Sequence, residues 1–318
     1  MGAAMQLSER IGRRMKLQDL HVLMTVVQSG SMGKAAERLN ITQPAVSRSI
    51  AELEHAVGVR LLDRRRQGVE PTEYGRALLK GGAAMFDDLH QAVKNIEFLA
   101  DPTAGSVRIG CSQFLTTTLV SAVVDELSRR YPRIVFDIAA TDEETLRREL
   151  IDRNVDFLVA RKFGPIADDR LEFEMLYDDS FGVVAGVNNS FARRRRVELA
   201  DLANEPWALP QAATVLGSVF AEAFRAIGLS YPRTTVLTSH AELRVNLLTS
   251  GRFLSIFSAS ILRFHTKRAE LKVLPVELQL SRVPVGIVTL RNRTLSPVAK
   301  LFIQHAREVA KPLTRGKR

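Results

Sequence analysis

The chain has 318 residues, enough for two or three compact units, and its composition of 46% hydrophobic and 25% charged residues is typical of globular proteins. No apolar run approaches the ~20 residues of a membrane-spanning helix, and no apolar stretch follows the first arginines, so we expect a cytoplasmic protein without a secretory signal. The single cysteine, Cys111, excludes an intrachain disulfide and a multi-cysteine metal cluster. The net charge of +10 lies mainly in residues 1–80 and 291–318, which favours an anionic partner such as nucleic acid.

The first two predicted helices follow from apolar spacing and from the residues that end and begin them. A helical repeat of apolar residues begins at Leu17, and Gly30 ends it. Ser31 is a favourable N-cap for a second helix, and Asn40 can adopt the left-handed conformation at the end of that helix. A tight turn is therefore expected after the second helix.

The third predicted helix presents polar side chains on one face. Thr42 caps it, and Pro44 occupies its first turn, where a missing N–H costs nothing. Gln43, Ser47 and Arg48 lie opposite the apolar side. An amide can pair with adenine, a guanidinium with guanine or a phosphate, and a hydroxyl with either. Two short helices around a tight turn, the second carrying such groups, are typical of helix-turn-helix DNA binding.

A β-hairpin is predicted after the third helix. Two short extended pieces within residues 59–72 flank a turn at Gln67-Gly68. Three consecutive arginines lie at the edge of this turn, and we expect them to contact phosphates or a minor groove. They are Arg64, Arg65 and Arg66. An arginine run is also common on solvated surfaces, so this interpretation depends on the helices that precede the hairpin.

Several runs of residues between 17 and 76 match one known family in order and without gaps. They are Gly30-Ser31, Ala35-Ala36-Glu37-Arg38-Leu39, Gln43-Pro44-Ala45-Val46-Ser47-Arg48, Leu53-Glu54, Gly58-Val59, Leu61-Leu62-Asp63-Arg64 and Thr72-Glu73-Tyr74-Gly75. On these residues the segment resembles the N-terminal domain of LysR-type transcriptional regulators, with Leu62 where family members usually carry phenylalanine. The resemblance implies an all-α winged helix-turn-helix over residues 15–75 that binds double-stranded promoter or operator DNA. The residues expected to contact DNA are Ser31, Lys34, Thr42, Gln43, Pro44, Ser47, Arg48, Arg64, Arg65 and Arg66.

A long helix is predicted between Thr72 and Pro102, with one weak point at Gly81-Gly82. Six apolar residues recur along it at a/d spacing: Leu78, Met85, Leu89, Ala92, Ile96 and Leu99. Such a helix either packs on its own domain or pairs with a second copy, and the family resemblance implies pairing. We expect residues 76–101 to form a dimerisation linker, with a tetramer as the larger assembly and RNA polymerase as a candidate partner.

From Ser106 onward, short apolar strands alternate with helices, which predicts parallel sheets with ligand sites at the carboxyl ends of the strands. The chain crosses into a second unit at residues 181–187 and returns at 283–290, so we expect two lobes around a cleft over residues 104–318. This α/β pattern is compatible with the LysR-type effector domain, which is similar to periplasmic solute-binding proteins. A Gly-x-Gly run common in the family near the eighth strand reads Gly251-Arg252-Phe253 here.

Eight residues at strand ends are candidates for contacting a small-molecule effector: Ser112, Gln113, Thr141, Arg161, Pro210, Gln211, Ser239 and His240. Ser112 and Gln113 open a helix whose free N–H groups attract a carboxylate, and Thr141 is predicted to cap the next helix. Capping alone explains the serines and threonines equally well, and Arg161 also fits a surface charge. Together these residues favour an anionic organic effector.

No catalytic constellation accompanies these residues. The sequence has no Ser-His-Asp order, phosphate loop or dinucleotide fingerprint, and its six histidines lack metal spacing, so we predict no enzyme activity, cofactor or metal. We expect an effector in the cleft, with Phe114 or Phe257 against its apolar body, to change the angle between the lobes and thereby the DNA contacts. Two alternatives stay open. One is a solute-binding or enzymatic α/β domain with secondary DNA binding, and the other is a ligand-independent DNA binder whose cleft is filled by side chains.

Overall fold

The computed structural model describes residues 15–65, 68–166, 168–258, 260–264, 267–278, 280 and 282–314. The chain divides into two compact units, Met1–His90 and Gln91–Arg318. The boundary between the units falls within one long helix. Among the described residues, no helix combines the length and the apolar composition that a bilayer crossing requires.

The first unit is built from three helices and a hairpin. Its elements are α1 (Leu17–Ser29), α2 (Met32–Leu39), α3 (Gln43–Val57), β1 (Leu62–Arg65), β2 (Gly68–Pro71) and the first part of α4 (Glu73–Ala100). The helices enclose an apolar core that includes Leu23, Val26, Val46 and Ile50, each no more than 2% exposed. The predicted three helices and the predicted hairpin are confirmed.

Local hydrogen bonds set the ends of these helices as predicted. Ser31 Oγ accepts from the backbone N–H of Lys34 at 3.5 Å, and Thr42 Oγ1 accepts from that of Ala45 at 3.4 Å. Asn40 has a left-handed φ of 54°, which turns the chain sharply between α2 and α3. The angle between these two helices is therefore fixed by short-range interactions.

The hairpin lies against the turn between α1 and α2. The N–H of Val69 donates to the carbonyl oxygen of Gly30 at 3.0 Å. A Cβ at Gly68 would lie 2.6 Å from that same oxygen, and the φ of Gly68 is 139°, so glycine is required here. The predicted turn residue Gln67 and the neighbouring Arg66 lie outside the described residues.

Helix α4 runs without interruption through the predicted weak point. A Cβ at Gly82 would lie 3.0 Å from both methyl carbons of Leu20, so glycine allows α4 to approach α1 closely. Much of the apolar seam of α4 is exposed in the single chain. Its exposed members include Met85 (39%), Leu89 (49%), Ile96 (67%) and Leu99 (81%).

The elements of the second unit alternate between strand and helix as predicted. In chain order they are β3 (Ala104–Cys111), α5 (Ser121–Arg130), β4 (Arg133–Ala140), α6 (Glu143–Ile151), β5 (Phe157–Arg161), β6 (Leu171–Asp179), β7 (Phe181–Gly186), β8 (Trp207–Leu209), α7 (Val215–Arg225), β9 (Thr234–Leu237), α8 (Ala241–Thr249), β10 (Leu254–Ser258), α9 (Ile261–Phe264), β11 (Leu271–Val273), β12 (Val283–Leu290) and α10 (Pro297–Thr314). A helical turn, Gln113–Leu115, and a π-helical segment, Thr116–Val120, lead into α5.

These strands form two five-stranded sheets, one in each lobe. Lobe I has the strand order β4-β3-β5-β12-β6, and lobe II has the order β11-β7-β10-β8-β9. In lobe I, β3 pairs in parallel with β4 and β5, whereas β12 is antiparallel to β5 and β6. In lobe II, β8 pairs in parallel with β9 and β10. The predicted parallel pairing is therefore present in both lobes.

The chain changes lobe at the positions predicted from the strand pattern. Strand β6 ends at Asp179 in lobe I and β7 begins at Phe181 in lobe II, and β12 returns to lobe I between β5 and β6. One apolar cluster extends through both lobes. It contains Val159 and Phe302 of lobe I and Val245 and Phe257 of lobe II. A continuous core thus underlies the junction of the lobes.

Candidate functional site

The polar face predicted for α3 is exposed, and the opposite face is buried. Val46 and Ile50 point into the core. Ser47 is half-buried at the edge of the polar face. The exposed residues at the start of this helix are Thr42, Gln43, Pro44 and Arg48. The first two turns of α3 therefore present an amide and a guanidinium, the groups that read base edges in a major groove.

The start of α2 lies next to the start of α3. A Cβ at Gly33 would lie 3.7 Å from Ser31 Oγ and 3.9 Å from Gln43 Oε1, so both side chains reach the same point. Lys34, in the first turn of α2, is exposed. The Ser31 and Thr42 oxygens accept helix-capping hydrogen bonds, and each hydroxyl keeps a proton that it can donate to a phosphate. The structure thus brings the predicted contacts from α2 and α3 onto one surface.

Glu54 fixes the hairpin on α3, a role that was not predicted from the sequence. Its Oε1 accepts from the backbone N–H of Leu61 at 2.7 Å and from that of Leu62 at 3.2 Å. β1 then pairs with β2 in antiparallel register, with Arg64 opposite Val69. The side chains of Arg64 and Arg65, and all of Arg66, lie outside the described part of the chain, so their contact with DNA stays a prediction.

In lobe I, three of the predicted effector residues lie at one edge of the sheet. The register places Cys111 beside Ala140 on β4 and beside Val159 on β5. The residues that follow these positions therefore lie together at the carboxyl ends of parallel strands, where α/β sheets bind ligands. They are Ser112, Thr141 and Arg161.

The predicted capping role of Thr141 is wrong. Asp142 caps α6, because its Oδ1 accepts from the backbone N–H of Thr145 at 2.9 Å. This hydrogen bond is the main reason that the pKa of Asp142 falls to about 2. Thr141 Oγ1 donates to Asp142 Oδ2 at 3.2 Å instead. Threonine and aspartate both favour N-cap positions, so adjacent residues of these two types leave the cap ambiguous in sequence.

The helix predicted to open at Ser112 is only a single turn, Gln113–Leu115, followed by the π-helical segment. Regular α-helix begins at Ser121, so the helix dipole expected at Ser112 is not that of a long helix. The Ser112 hydroxyl caps nothing and is buried without a hydrogen-bond partner among the described residues. Gln113 is exposed.

The four candidates in lobe II have different surroundings. Pro210 is buried, and its carbonyl oxygen accepts from the hydroxyl of Tyr231 at 2.8 Å. Gln211 and Ser239 are exposed. His240 occupies the N-cap position of α8 and is exposed, and its side chain makes no capping hydrogen bond. The register of β8 and β9 pairs Leu209 with Leu237, so both strand ends lie at the same sheet edge.

Arg161 lies inside the protein, 9% exposed, and bridges the lobes. Its Nη2 donates to Ser258 Oγ of lobe II at 3.0 Å and lies 3.5 Å from Asp179 Oδ2. Asp179 also accepts from Ser260 Oγ at 2.8 Å. The guanidinium is stacked 4.5 Å from the ring centre of Phe114. Burial lowers the pKa of Arg161, and the nearby Asp179 carboxylate opposes that effect.

Arg244 is a second buried arginine, 2% exposed, on α8 of lobe II. Its Nη1 donates to Ser255 Oγ and to the carbonyl oxygen of Ile256, both at 3.2 Å. No carboxylate of the described residues forms an ion pair with it, and its Nε has no hydrogen-bond partner among them. Burial lowers the pKa of Arg244 to about 10; Tyr231 opposes this effect, and the positive charge of Arg161 adds to it.

Two phenylalanine rings lie between these arginines. The Phe114 and Phe257 ring centres are 5.9 Å apart. Arg161 stacks on Phe114, and Arg244 lies 4.3 Å from the ring centre of Phe257. The order of groups is therefore guanidinium, ring, ring, guanidinium, with one arginine contributed by each lobe.

Tyr177, at the end of β6, completes this group. Its hydroxyl is buried, and burial raises its pKa, an effect that the Asp179 carboxylate strengthens and that Arg161 and Ser260 oppose. We define the inter-lobe cluster by the residues that share this junction: Ser112, Phe114, Arg161, Tyr177, Asp179, Arg244 and Phe257. Two guanidinium groups face one carboxylate in the cluster, so it has an excess positive charge.

Sequence reasoning found Ser112 and Arg161 but missed Tyr177, Asp179 and Arg244. A signal for Arg244 was present, because it lies three residues after Ala241 and four before Leu248, on the buried side of α8. A charged residue on the apolar face of a helix requires a specific partner. Tyr177 and Asp179 lie just before the predicted lobe crossover, but no local pattern indicates which side chains they meet there.

Metal ligands or a reactive thiol would give the described residues a further kind of chemistry. Within the described ranges, no three histidine, cysteine, aspartate or glutamate side chains are grouped as a metal site requires. Cys111 is buried in lobe I, and burial raises the pKa of its thiol to about 12. A thiolate, the reactive form of cysteine, is therefore disfavoured at this position.

Comparison with known proteins accounts for both units. Residues 17–76 match the bacterial regulatory helix-turn-helix protein family of the lysR type, and residues 100–311 match the LysR substrate binding domain. The chain belongs to the LysR family. It is 24% identical over 288 residues to the HTH-type transcriptional regulator GbpR of Azospirillum brasilense, an alignment that covers 90% of this chain and 84% of that one.

Solved structures of LysR regulators share the fold. Full-length OxyR from Pseudomonas aeruginosa superposes with a TM-score of 0.65 at 20% identity, covering 96% of this chain and 99% of that one. Full-length CbnR in complex with its target DNA gives a TM-score of 0.52 at 19% identity, covering 93% and 100%. This LysR-type protein is thus a DNA-binding transcriptional regulator with an effector-binding domain, not an enzyme. The predicted family, fold and general function are confirmed.

Proposed function

We propose that this LysR-type regulator responds to a small organic carboxylate that binds at the inter-lobe cluster. The observation that carries the proposal is the guanidinium of Arg244, which is buried with no carboxylate among the described residues to neutralise it. A buried charge without a counter-ion is costly, and a carboxylate ligand is the group that an arginine pairs with best. The two phenylalanine rings suit an apolar ligand body.

Unpartnered polar groups of the inter-lobe cluster support the same ligand class. The Nε atoms of Arg161 and Arg244 and the hydroxyl of Ser112 lack hydrogen-bond partners among the described residues. In native proteins most buried polar atoms are paired, so three unpaired donors in one cluster favour an acceptor-bearing ligand. A carboxylate supplies two acceptor oxygens.

Effector binding and lobe movement are coupled in this proposal. The cluster takes Arg161 from lobe I and Arg244 and Phe257 from lobe II, and Arg161 already donates to Ser258 across the junction. Because these groups are buried, a ligand enters by separating the lobes and replaces the present inter-lobe contacts with its own. The lobe angle then differs between the free and bound states, which alters the oligomer and its DNA contacts.

A panel of carboxylates, each paired with its uncharged amide, tests this function. The full-length chain is screened by thermal unfolding, and hits are assayed for operator binding. At one hundred times the dissociation constant, a ligand stabilises the folded state by about 2.7 kcal/mol. We expect carboxylates but not their amides to raise the melting temperature and to change operator affinity. Equal effects of acid and amide would refute an anionic effector.

For the DNA contacts, we propose that Gln43, Ser47 and Arg48 read bases. Ser31, Lys34, Thr42 and the hairpin arginines position the protein on the phosphates, and Pro44, which has no N–H to donate, lies in the first turn of α3. The exposure of the α3 polar face and its proximity to the start of α2 support this division. It is tested below by comparing operator DNA with random DNA.

We propose a tetramer as the assembled form. The exposed seam of α4 supplies one self-association surface, and a closed tetramer needs a second. The edge strand β4 offers one, because Val135 on it is 62% exposed. Sedimentation of Val135→Glu should give dimers, and an unchanged tetramer would exclude this surface. The proposal that the DNA-bound oligomer contacts RNA polymerase rests on the family resemblance alone.

A further inference from the structure

A cavity lies in lobe I, outside the inter-lobe cluster. It has a volume of about 690 Å³ and is bordered by β6, β12, α10 and the residues that follow β5. Its apolar wall includes Phe173, Ile287, Leu295 and Ile303. Its volume is in the range of roughly 300–1,000 Å³ that is typical of small-molecule sites.

The cavity has an excess of positive charge. Four cationic side chains line it, Lys162, Arg291, Lys300 and Arg307, against two acidic ones, Glu172 and Glu174. Arg307 is neutralised by Glu174, with Nε–Oε1 and Nη2–Oε2 distances of 2.5 and 2.8 Å. Arg291 Nε lies 3.6 Å from Glu172 Oε1.

The other two cations have no such partner. Neither Lys162 nor Lys300 has a carboxylate within 4 Å among the described residues. Lys162 Nζ lies 5.4 Å from the ring centre of Phe173, so one of these two ammonium groups sits directly over the aromatic part of the wall. Charge and apolar surface are thus side by side.

The cavity and the inter-lobe cluster are lined by different residues, although Arg161 of the cluster lines an adjoining hollow that shares Lys162 and Phe173 with the cavity. The cluster contains Arg161, which stacks on Phe114, whereas the next residue, Lys162, stacks on Phe173 and lines the cavity. None of the seven cluster residues lines the cavity. A ligand in one site therefore does not occupy the other.

We infer that this cavity binds a small organic acid with an apolar body and one carboxylate. The body packs on Phe173 and the isoleucine side chains, and the carboxylate pairs with Lys162 and Lys300. A neutral apolar molecule would leave both ammonium groups without a partner, and a purely polar anion would leave the apolar wall in contact with water. The site goes beyond the proposed inter-lobe function and does not depend on it.

The test is calorimetric titration of the full-length chain with 2-naphthoate, alongside the uncharged 2-naphthamide. Lys300→Glu reverses a charge at the cavity, and Thr289→Trp, on β12, fills the cavity without removing core atoms. Lys272→Glu reverses an exposed lysine on β11 of lobe II and is the matched control. Arg244→Met removes the proposed inter-lobe anion site. Thermal unfolding without ligand checks that each variant is folded.

We expect 2-naphthoate to bind wild type, the Lys272→Glu control and Arg244→Met alike at the cavity, and to bind Lys300→Glu and Thr289→Trp at least tenfold more weakly there. Binding to Thr289→Trp that a further Arg244→Met substitution removes belongs to the inter-lobe cluster. The amide should bind at least tenfold more weakly than the acid. Unchanged binding to both cavity variants, or no binding at millimolar ligand, overturns the inference. Loss of binding in Arg244→Met alone would also overturn it while supporting the inter-lobe proposal. If Thr289→Trp lowers the oligomeric state, the cavity is a surface between copies and the inference is wrong.

Discussion

Replacing Arg244 by methionine should leave the stability of the ligand-free protein nearly unchanged, although the residue is 2% exposed. Burial, together with the charge of Arg161, lowers the pKa of its guanidinium from 12.5 to about 10. At roughly 1.4 kcal/mol per pKa unit, the charged form is less stable here by about 3 kcal/mol than in an exposed arginine. Because a guanidinium stays protonated at neutral pH, this cost is present in the folded protein and the methionine variant removes it.

The substitution also removes favourable interactions of similar size. Arg244 donates to Ser255 Oγ and to the Ile256 carbonyl oxygen, and each bond contributes about 1.5 kcal/mol net, the lower end for a charged donor. Ser255 Oγ keeps its bond to the Ala208 carbonyl oxygen at 2.6 Å, so no hydroxyl is left unpaired. A methionine packs well against the Phe257 ring. The two effects nearly cancel, and we expect a change of within ~1 kcal/mol in the free energy of unfolding.

The same substitution at Arg161 should behave differently. Arg161→Met leaves the Asp179 carboxylate, 3% exposed, without its cation. Removing one partner of a buried ion pair typically costs about 3–5 kcal/mol, so we expect a decrease in stability of about 3 kcal/mol. Both variants replace a buried arginine by methionine. The difference between their free energies of unfolding therefore measures the effect of a counter-ion, which Arg161 has and Arg244 lacks.

Urea unfolding followed by the fluorescence of Trp207 measures both variants. Trp207 is the only tryptophan of the chain and is fully buried on β8 in lobe II. Arg244→Met should unfold at nearly the wild-type urea concentration and should no longer be stabilised by carboxylates. A destabilisation above about 3 kcal/mol would show that the charge of Arg244 is already neutralised in the ligand-free protein, and it would refute the proposed anion site.

Three further predictions concern DNA binding and assembly. Gln43→Ala should weaken operator binding by about 1–3 kcal/mol and leave random-DNA affinity unchanged; an equal loss of affinity on both DNAs would refute base reading. Replacing Arg64, Arg65 and Arg66 by alanine should reduce the steepness of the plot of log affinity against log salt concentration. The expected reduction is roughly 0.9 for each phosphate contact that is lost. An unchanged slope would mean that the three side chains are solvated. Ile96→Glu, at a position 67% exposed in the single chain, should dissociate the dimer in sedimentation without unfolding it. Glu97→Lys, an exposed neighbour off the seam, should not dissociate it.

Local sequence was sufficient to predict the structure of the first unit. Ser31, Thr42, Asn40 and Gly30 set the helix ends through contacts within a few residues, and the structure has each of them in the predicted role. Apolar spacing of 3–4 residues identified the buried face of α3 and left Gln43 and Arg48 on the other. Short-range rules suffice here because capping and helix periodicity involve neighbours in the chain.

The alternation of strands and helices and the points where the chain changes lobe were also predictable. Adjacent strand ends could therefore be expected to meet, and Ser112 and Arg161 do lie at one sheet edge. Where two neighbouring residues were equally suitable, as at Thr141 and Asp142, the prediction failed, because both can cap and the hydrogen bond depends on the exact path of the chain.

The chemistry of the inter-lobe cluster, in contrast, arises only from tertiary packing. Arg161, Asp179 and Ser258 come together from three strands that are distant in sequence, and Arg244 reaches them from a helix of the other lobe. Whether an arginine is a solvated surface charge or a buried ion depends on what covers it and which carboxylate faces it. The apolar face of α8 indicates that Arg244 is buried, but the groups that surround each arginine are set by the packing of one lobe on the other, and no pattern of nearby residues identifies them.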